Sequence, residues 1–366
     1  MGCMVSKKNT AAPNLQNASL HFIGEKDIPY NLLYKNTTVG GLSGIDYDAS
    51  SKNYYLISDD RSAINPARFY TAAISFNQKG IDTIMFTGVN FFLQTNGNVY
   101  PNINANPHNT PDPEAIRYNP ITNLLTWTSE GERIVNKKDT VLEDPTIITV
   151  STSGNFVDSF AIPSNLRMQV IEKGPRQNGV FEGLTFADNY KNMFVSVEEP
   201  LYEDGPRVDV TDNNTFIRIL KYITADKKNI AQYAYKPDNI AFAANPVDKF
   251  KINGIPDILY LGDNKLLVIE RSYSTGRLSC TIKIFIADLN KATDISNLPL
   301  KINAGNFTPV TKKLLLNMDD LGIYIDNIEG VTFGPDLPNG HKTLLFIADN
   351  NFSANQVTQL LLFEVK

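Results

Sequence analysis

Five pairs of polar residues recur along the chain: Ser43 with Asp59, Glu114 with Glu130, Glu182 with Glu198, Asp257 with Glu270, and Glu329 with Asp349. Nine of these ten residues are carboxylates. Each first member opens a short apolar run and each second member closes the next one. An example is Phe181-Glu182-Gly183-Leu184-Thr185-Phe186 followed by Met193-Phe194-Val195-Ser196-Val197-Glu198. In an antiparallel hairpin the start of one strand and the end of the next lie at the same end. Carboxylates gathered there would repel one another unless cations neutralise them. The pattern predicts a divalent-metal site with Asp59, Glu114, Glu130, Glu182, Glu198, Asp257, Glu270, Glu329 and Asp349 as ligands. An all-oxygen set favours Ca2+ over zinc. Arg61 follows Asp59-Asp60, Arg133 follows Glu130-Gly131-Glu132, and Arg271 follows Glu270. A guanidinium beside metal-held carboxylates suits a bound phosphate or carboxylate group, with ion pairs between neighbouring elements as the alternative role. Glu182, Glu198, Glu329, Arg61 and Arg271 are the candidate catalytic residues.

The first members of the pairs, at 43, 114, 182, 257 and 329, are 71, 68, 75 and 72 residues apart, so one structural unit is repeated five times. Two further β-like runs follow within each unit, which predicts an all-β chain folded as a β-propeller of five four-stranded blades. A sixth blade made by splitting a long unit is the alternative. The last unit carries only three strands, and residues 19–23 are the expected outer strand that closes the ring. Residues 19–366 thus read as one domain behind a flexible tether, residues 1–18. Long connections at 93–112, 167–180, 201–214 and 319–327 all fall at the carboxylate end, where extended loops carry function.

Composition agrees with a folded β chain: 42% of residues are hydrophobic, 20% are charged, and 22 Gly and 20 Pro are spread along the length. The net charge of −5 disfavours nucleic acid and anionic membranes as partners. No apolar run reaches the ~20 residues of a membrane helix. Two cysteines exclude a disulfide framework, and Cys280 reads as a buried small hydrophobe. Met1-Gly2 with Ser6 fits a myristoylation pattern. Gly2-Cys3 followed by a polar stretch resembles a bacterial lipoprotein junction, the favoured reading over myristoylation or an ordinary N-terminus. It predicts a lipid anchor at Cys3 and an exported, periplasmic or cell-surface protein. His108 lies in a long loop, and Gly-x-Ser-x-Gly is absent, so a serine hydrolase is not expected.

Gly41-Leu-Ser-Gly-Ile-Asp46, Ile57-Ser-Asp-Asp-Arg61, Asp112-Pro-Glu-Ala-Ile116, Phe181-Glu-Gly-Leu-Thr185, Val197-Glu-Glu-Pro-Leu201, Ile269-Glu-Arg-Ser272 and Ile328-Glu-Gly-Val331 with Ala348-Asp-Asn-Asn-Phe352 stand in register along the chain. Together they resemble the esterase-like activity of phytase family, the phytase-like domain. The resemblance implies a propeller-like fold whose acidic residues serve a phosphoesterase-type activity, often on exported proteins. Local signatures of the true β-propeller phytases are absent. The expected function is a metal-dependent phosphoesterase acting on a small phosphorylated or anionic ligand. The alternative is a noncatalytic surface propeller that binds a ligand or partner and uses Ca2+ structurally.

Overall fold

The computed structural model describes Leu15, residues 18–303 and residues 305–366. Five antiparallel sheets follow one another along the chain, one per repeat. Their innermost strands are Gly44–Asp48, Pro113–Asn119, Phe181–Ala187, Ile258–Gly262 and Asn327–Phe333. Each touches the next, and the fifth touches the first, so the sheets close into a five-bladed propeller. The second strand of each blade is buried on both faces, because another blade packs on either side. Leu124–Ser129 and Thr343–Asp349 show why such strands are apolar at consecutive positions rather than alternate ones. Phe92, which follows the outer strand of blade one, stacks on Trp127 of blade two with ring centres 4.2 Å apart.

Blade five is completed by the N-terminal strand Leu20–Ile28, which pairs antiparallel with Thr358–Val365. The pairing runs from Leu20 opposite Val365 to Ile28 opposite Thr358, with an irregularity between Phe22 and Gly24, so the closing strand extends five residues beyond the expected 19–23. Ser19 and Lys366 extend the ladder by exchanging backbone hydrogen bonds of 2.8 and 3.0 Å.

Two blades depart from four plain strands. Blade two carries an extra hairpin, Glu132–Val135 with Thr140–Glu143, between its second and third strands. In blade four both Lys251–Gly254 and Ile258–Gly262 pair with the long strand Lys265–Ser274, giving five strands. Within the expected tether, residues 1–18, Leu15 is buried in the apolar cluster that holds Leu259, Leu261 and Leu361. Cys3 and most of that segment lie outside the described residues. Among the described residues, no helix is long and apolar enough to cross a membrane.

Candidate active site at the acidic mouth

The key glutamates owe their direction to defects in the inner strands. Glu114 and Ala115 together oppose the single residue Thr128, Glu182 and Gly183 together oppose Ser196, and Glu329 is the extra residue between Ile328 and Gly330. Such bulges re-aim a side chain out of the regular alternation. The opposing hydroxyls hold them in place. Thr128 Oγ1 accepts from the Ala115 N–H at 2.9 Å and donates to the Glu182 carbonyl of the next blade at 2.7 Å, while Ser196 accepts from the Gly183 N–H at 3.0 Å. Ser43, just before the inner strand of blade one, donates to the Glu114 carbonyl of the next blade at 2.7 Å. Neighbouring inner strands run backbone against backbone here, and a Cβ on Gly183 would lie 2.5 Å from the Asp257 Cα. In blade two Gly131, at φ +74°, turns the chain between Glu130 and Glu132.

These elements bring Asp59, Asp112, Glu114, Glu130, Glu182, Glu198, Glu329 and Arg271 to one cavity of about 540 Å³ at the start of the inner strands. Oxygen atoms of Asp59, Asp112 and Glu114 lie within 4.8 Å of one another, and so do those of Glu114, Glu130 and Glu182. Glu114 belongs to both groups. Among the described residues no side chain or backbone group donates to the Glu114 or Glu182 carboxylate, whereas Glu130 accepts from the Val180 N–H at 2.5 Å.

Burial pushes the Glu114 carboxyl well up, and the Glu182 charge adds to it. Asp59, Glu130 and Glu182 are raised in the same way, by burial first and then by the charges of Asp112, Asp112 and Glu198 respectively. Burial also raises Asp112, against the pull of Arg61. Glu329 reaches only about 6, because Arg271 opposes the effect of burial. Arg271 bonds to Glu329, to Glu198 and, at 2.5 Å, to the Asn327 amide oxygen. The acids of the lining outnumber its two guanidiniums, Arg271 and Arg277.

The structure moves four of the expected site residues. Asp257 points down the channel, where it holds Arg117 at 2.7 and 2.9 Å and accepts from the Val331 N–H at 2.8 Å. Arg117 also donates to the Ile45, Ile258 and Val331 carbonyls, so one buried ion pair ties blades one, two, four and five at the axis. Glu270 turns into blade four, bonding Tyr235, Asn253, the Asp238 N–H and Lys312. Its strand continues past it, and the next residue, Arg271, takes the place at the mouth. Arg61 lies behind the lining, 2.6 Å from Glu132 of the extra hairpin and 3.6 Å from Asp112. Asp349 is fully buried beside Glu329 rather than lining the cavity; its Oδ1 accepts from the Asn351 N–H and its Oδ2 has no partner. Arg133 is spent on the Gln169, Val170 and Ile171 carbonyls, and His108 is exposed outside the cavity.

Asp112 is the ligand candidate that the pairing rule misses, since it precedes the strand. Its signal was local: Asp112-Pro113-Glu114 places two carboxylates on either side of a proline that fixes the turn. The other ends of the same inner strands surround a second cavity of about 790 Å³, lined by Asp46, Arg117 and several tyrosines.

Among solved structures, the chain is similar to an endo-arabinase from Bacteroides thetaiotaomicron, with 12% identity, 88% of this chain and 93% of that one covered, and a TM-score of 0.44. An exo-beta-1,3-galactanase from Phanerochaete chrysosporium gives 10% identity, 94% and 64% coverage and a TM-score of 0.47. A gluconolactonase from Xanthomonas campestris gives 9% identity, 88% and 71% coverage and a TM-score of 0.36. No curated protein matches the chain. The motifs that build the acidic ring fall within residues 37–352, the stretch matched by the phytase-like family model, described as esterase-like activity of phytase, and the chain belongs to that family.

Proposed function

We propose that this propeller is a metal-dependent phosphoesterase whose reaction takes place at the acidic mouth. One observation carries the reading: Glu114 is shared by two groups of closely spaced buried carboxylates, and neither it nor Glu182 receives a hydrogen bond among the described residues. A cluster of this charge would repel a phosphate ester, so the reading requires cations. The donor set fits one, since every group is a hard oxygen and two sets of three lie with their oxygens within 4.8 Å of one another. Asp59, Asp112, Glu114, Glu130 and Glu182 would hold Ca2+. Such an ion supplies charge neutralisation for phosphate oxygens and acidifies a bound water. Arg271 fixes Glu198 and Glu329 in place, and Glu329, titrating at about 6, is suited to hold or release a proton near neutral pH. Arg61, held by Glu132, positions Asp112 from behind. An anchor at Cys3 and export belong to the same proposal, and labelling with palmitate in wild type and Cys3→Ala tests the anchor.

Hydrolysis of p-nitrophenyl phosphate and bis(p-nitrophenyl) phosphate should require divalent cation and be abolished by chelator. Glu182→Gln and Glu114→Gln keep shape while removing charge, and should lower kcat/KM by about 100-fold or more with folding intact. If wild type hydrolyses neither ester while chelator lowers its Tm, the metal is structural and the propeller is a binding module.

A further inference from the structure

The acidic cavity has a second wall of opposite character. Phe250, Ile252, Tyr273, Leu278, Cys280 and Tyr324 line it, contributed by the extra strands and turns of blade four and the segment that enters blade five. Burial pushes the Cys280 thiol up to about 12, so this side chain is neutral and behaves as an apolar group. Leu278 is 92% exposed, Phe250 58% and Tyr324 41%. Single exposed apolar residues are ordinary, but three converging on the lining of one cavity whose other side is carboxylate are not.

Of the two guanidiniums in the lining, Arg271 is engaged by acids and Arg277 only by an aromatic ring. Arg271 is held by Glu198, Glu329 and Asn327, and the Arg277 guanidinium lies 3.7 Å from the Phe242 ring centre. A substrate with several phosphates needs several free cationic partners, and beyond the ions its carboxylates can hold this cavity offers one, Arg277. An organic group without charge gains instead by leaving water against the apolar wall.

Building on the phosphoesterase reading above, we infer that the substrate of this site is a phosphate ester with a single anionic head and an apolar organic group, the head at the carboxylates and the organic group on Phe250, Tyr273, Leu278 and Tyr324. The extra strand pairing of blade four gives the reason for the wall: Lys251–Gly254 adds to Lys265–Ser274 at the mouth, bringing Phe250 within 6.3 Å of the Tyr273 ring.

The test compares methyl phosphate, hexyl phosphate and myo-inositol hexakisphosphate with wild type, Leu278→Ser and Phe250→Ser in Ca2+. The two alkyl esters have leaving groups of nearly equal reactivity, so their ratio reports binding of the chain. Hexyl phosphate should exceed methyl phosphate in kcat/KM by about ten-fold or more, each variant should bring that ratio close to one, and the hexakisphosphate should be the poorest substrate. In parallel, calorimetry measures methylphosphonate and hexylphosphonate, which cannot be hydrolysed. Tighter binding of hexylphosphonate that is lost in both variants supports the wall even where no ester is turned over, a result that removes the phosphoesterase reading alone. Equal turnover of the two alkyl esters overturns the inference and leaves that reading standing. Equal binding of the two phosphonates overturns the inference too. A wild type that sediments as a dimer, with Leu278→Ser a monomer, also overturns it, because the wall then serves a second copy of the chain.

Discussion

Glu143 and Glu199 flank the acidic ring, and burial raises their carboxyls to about 7 and about 8 even though Arg61 and Arg207 pull the other way. Glu329 within the ring stands at about 6 for the same reason. A carboxyl whose pKa is higher in the folded than in the unfolded chain binds protons more tightly when folded. The stability it contributes is complete below the unfolded value near 4.5 and is lost as pH rises through the folded values. The melting temperature in chelator should therefore fall between about pH 5 and about pH 8.5, and saturating Ca2+ should flatten the slope. Calorimetry at a series of pH values checks this, and a metal-free melting temperature that climbs across that window contradicts the assignment. Of the site residues, Glu114, Glu182 and Glu329 were legible because each opens an apolar run, and Glu198 because it closes one. Asp257 follows the same pattern and still faces Arg117, since sequence spacing gives the end of a strand but not the partner waiting inside the channel. Arg117 itself carries no signal in the sequence beyond its place in a strand.

At the scale of the strand, the bulge is what converts a repeat into a site. Without the two-against-one pairing of Glu182 and Gly183 with Ser196, alternate residues of this inner strand would keep strict register and the carboxylate would not be re-aimed. Gly183 also lets the backbone of blade three meet that of blade four. Gly183→Ala should cost about 1–3 kcal/mol through forced separation of those strands, and it should weaken Ca2+ binding more than Ala substitutions on the outer strands do. Urea unfolding and calcium titration read the two effects, and an alanine variant with wild-type stability would show that the blades can part without cost. The same scale explains Glu270. The hairpin rule placed it at the mouth from its position after Leu266-Leu267-Val268-Ile269, but the strand runs on to Ser274 because Lys251–Gly254 offers a partner. That partner was invisible in the repeat, being an insertion found in one blade of five.

At the scale of the molecule, the period of the repeat, the three-stranded last unit and the spare N-terminal run were enough to place the ring closure, because an unpaired edge in a propeller has few places to go. Chains that start at Pro29 lose the strand that covers Thr358–Val365 and the Phe22 ring that packs 5.4 Å from Phe363. Such chains should self-associate through the bare edge. Size-exclusion chromatography and melting curves decide it: a monomer with the wild-type melting temperature would mean that closure is dispensable. The closure also sets an order of events. Residues 20–28 leave the ribosome long before their partner, residues 358–365, so a strand made early is seated late. Blades one to four can assemble while synthesis proceeds, but blade five waits with two strands until residues 358–365 are out. A nascent chain stopped before residue 358 keeps an open seam for a chaperone or protease to find, and only a chain translated through to that strand can seal it.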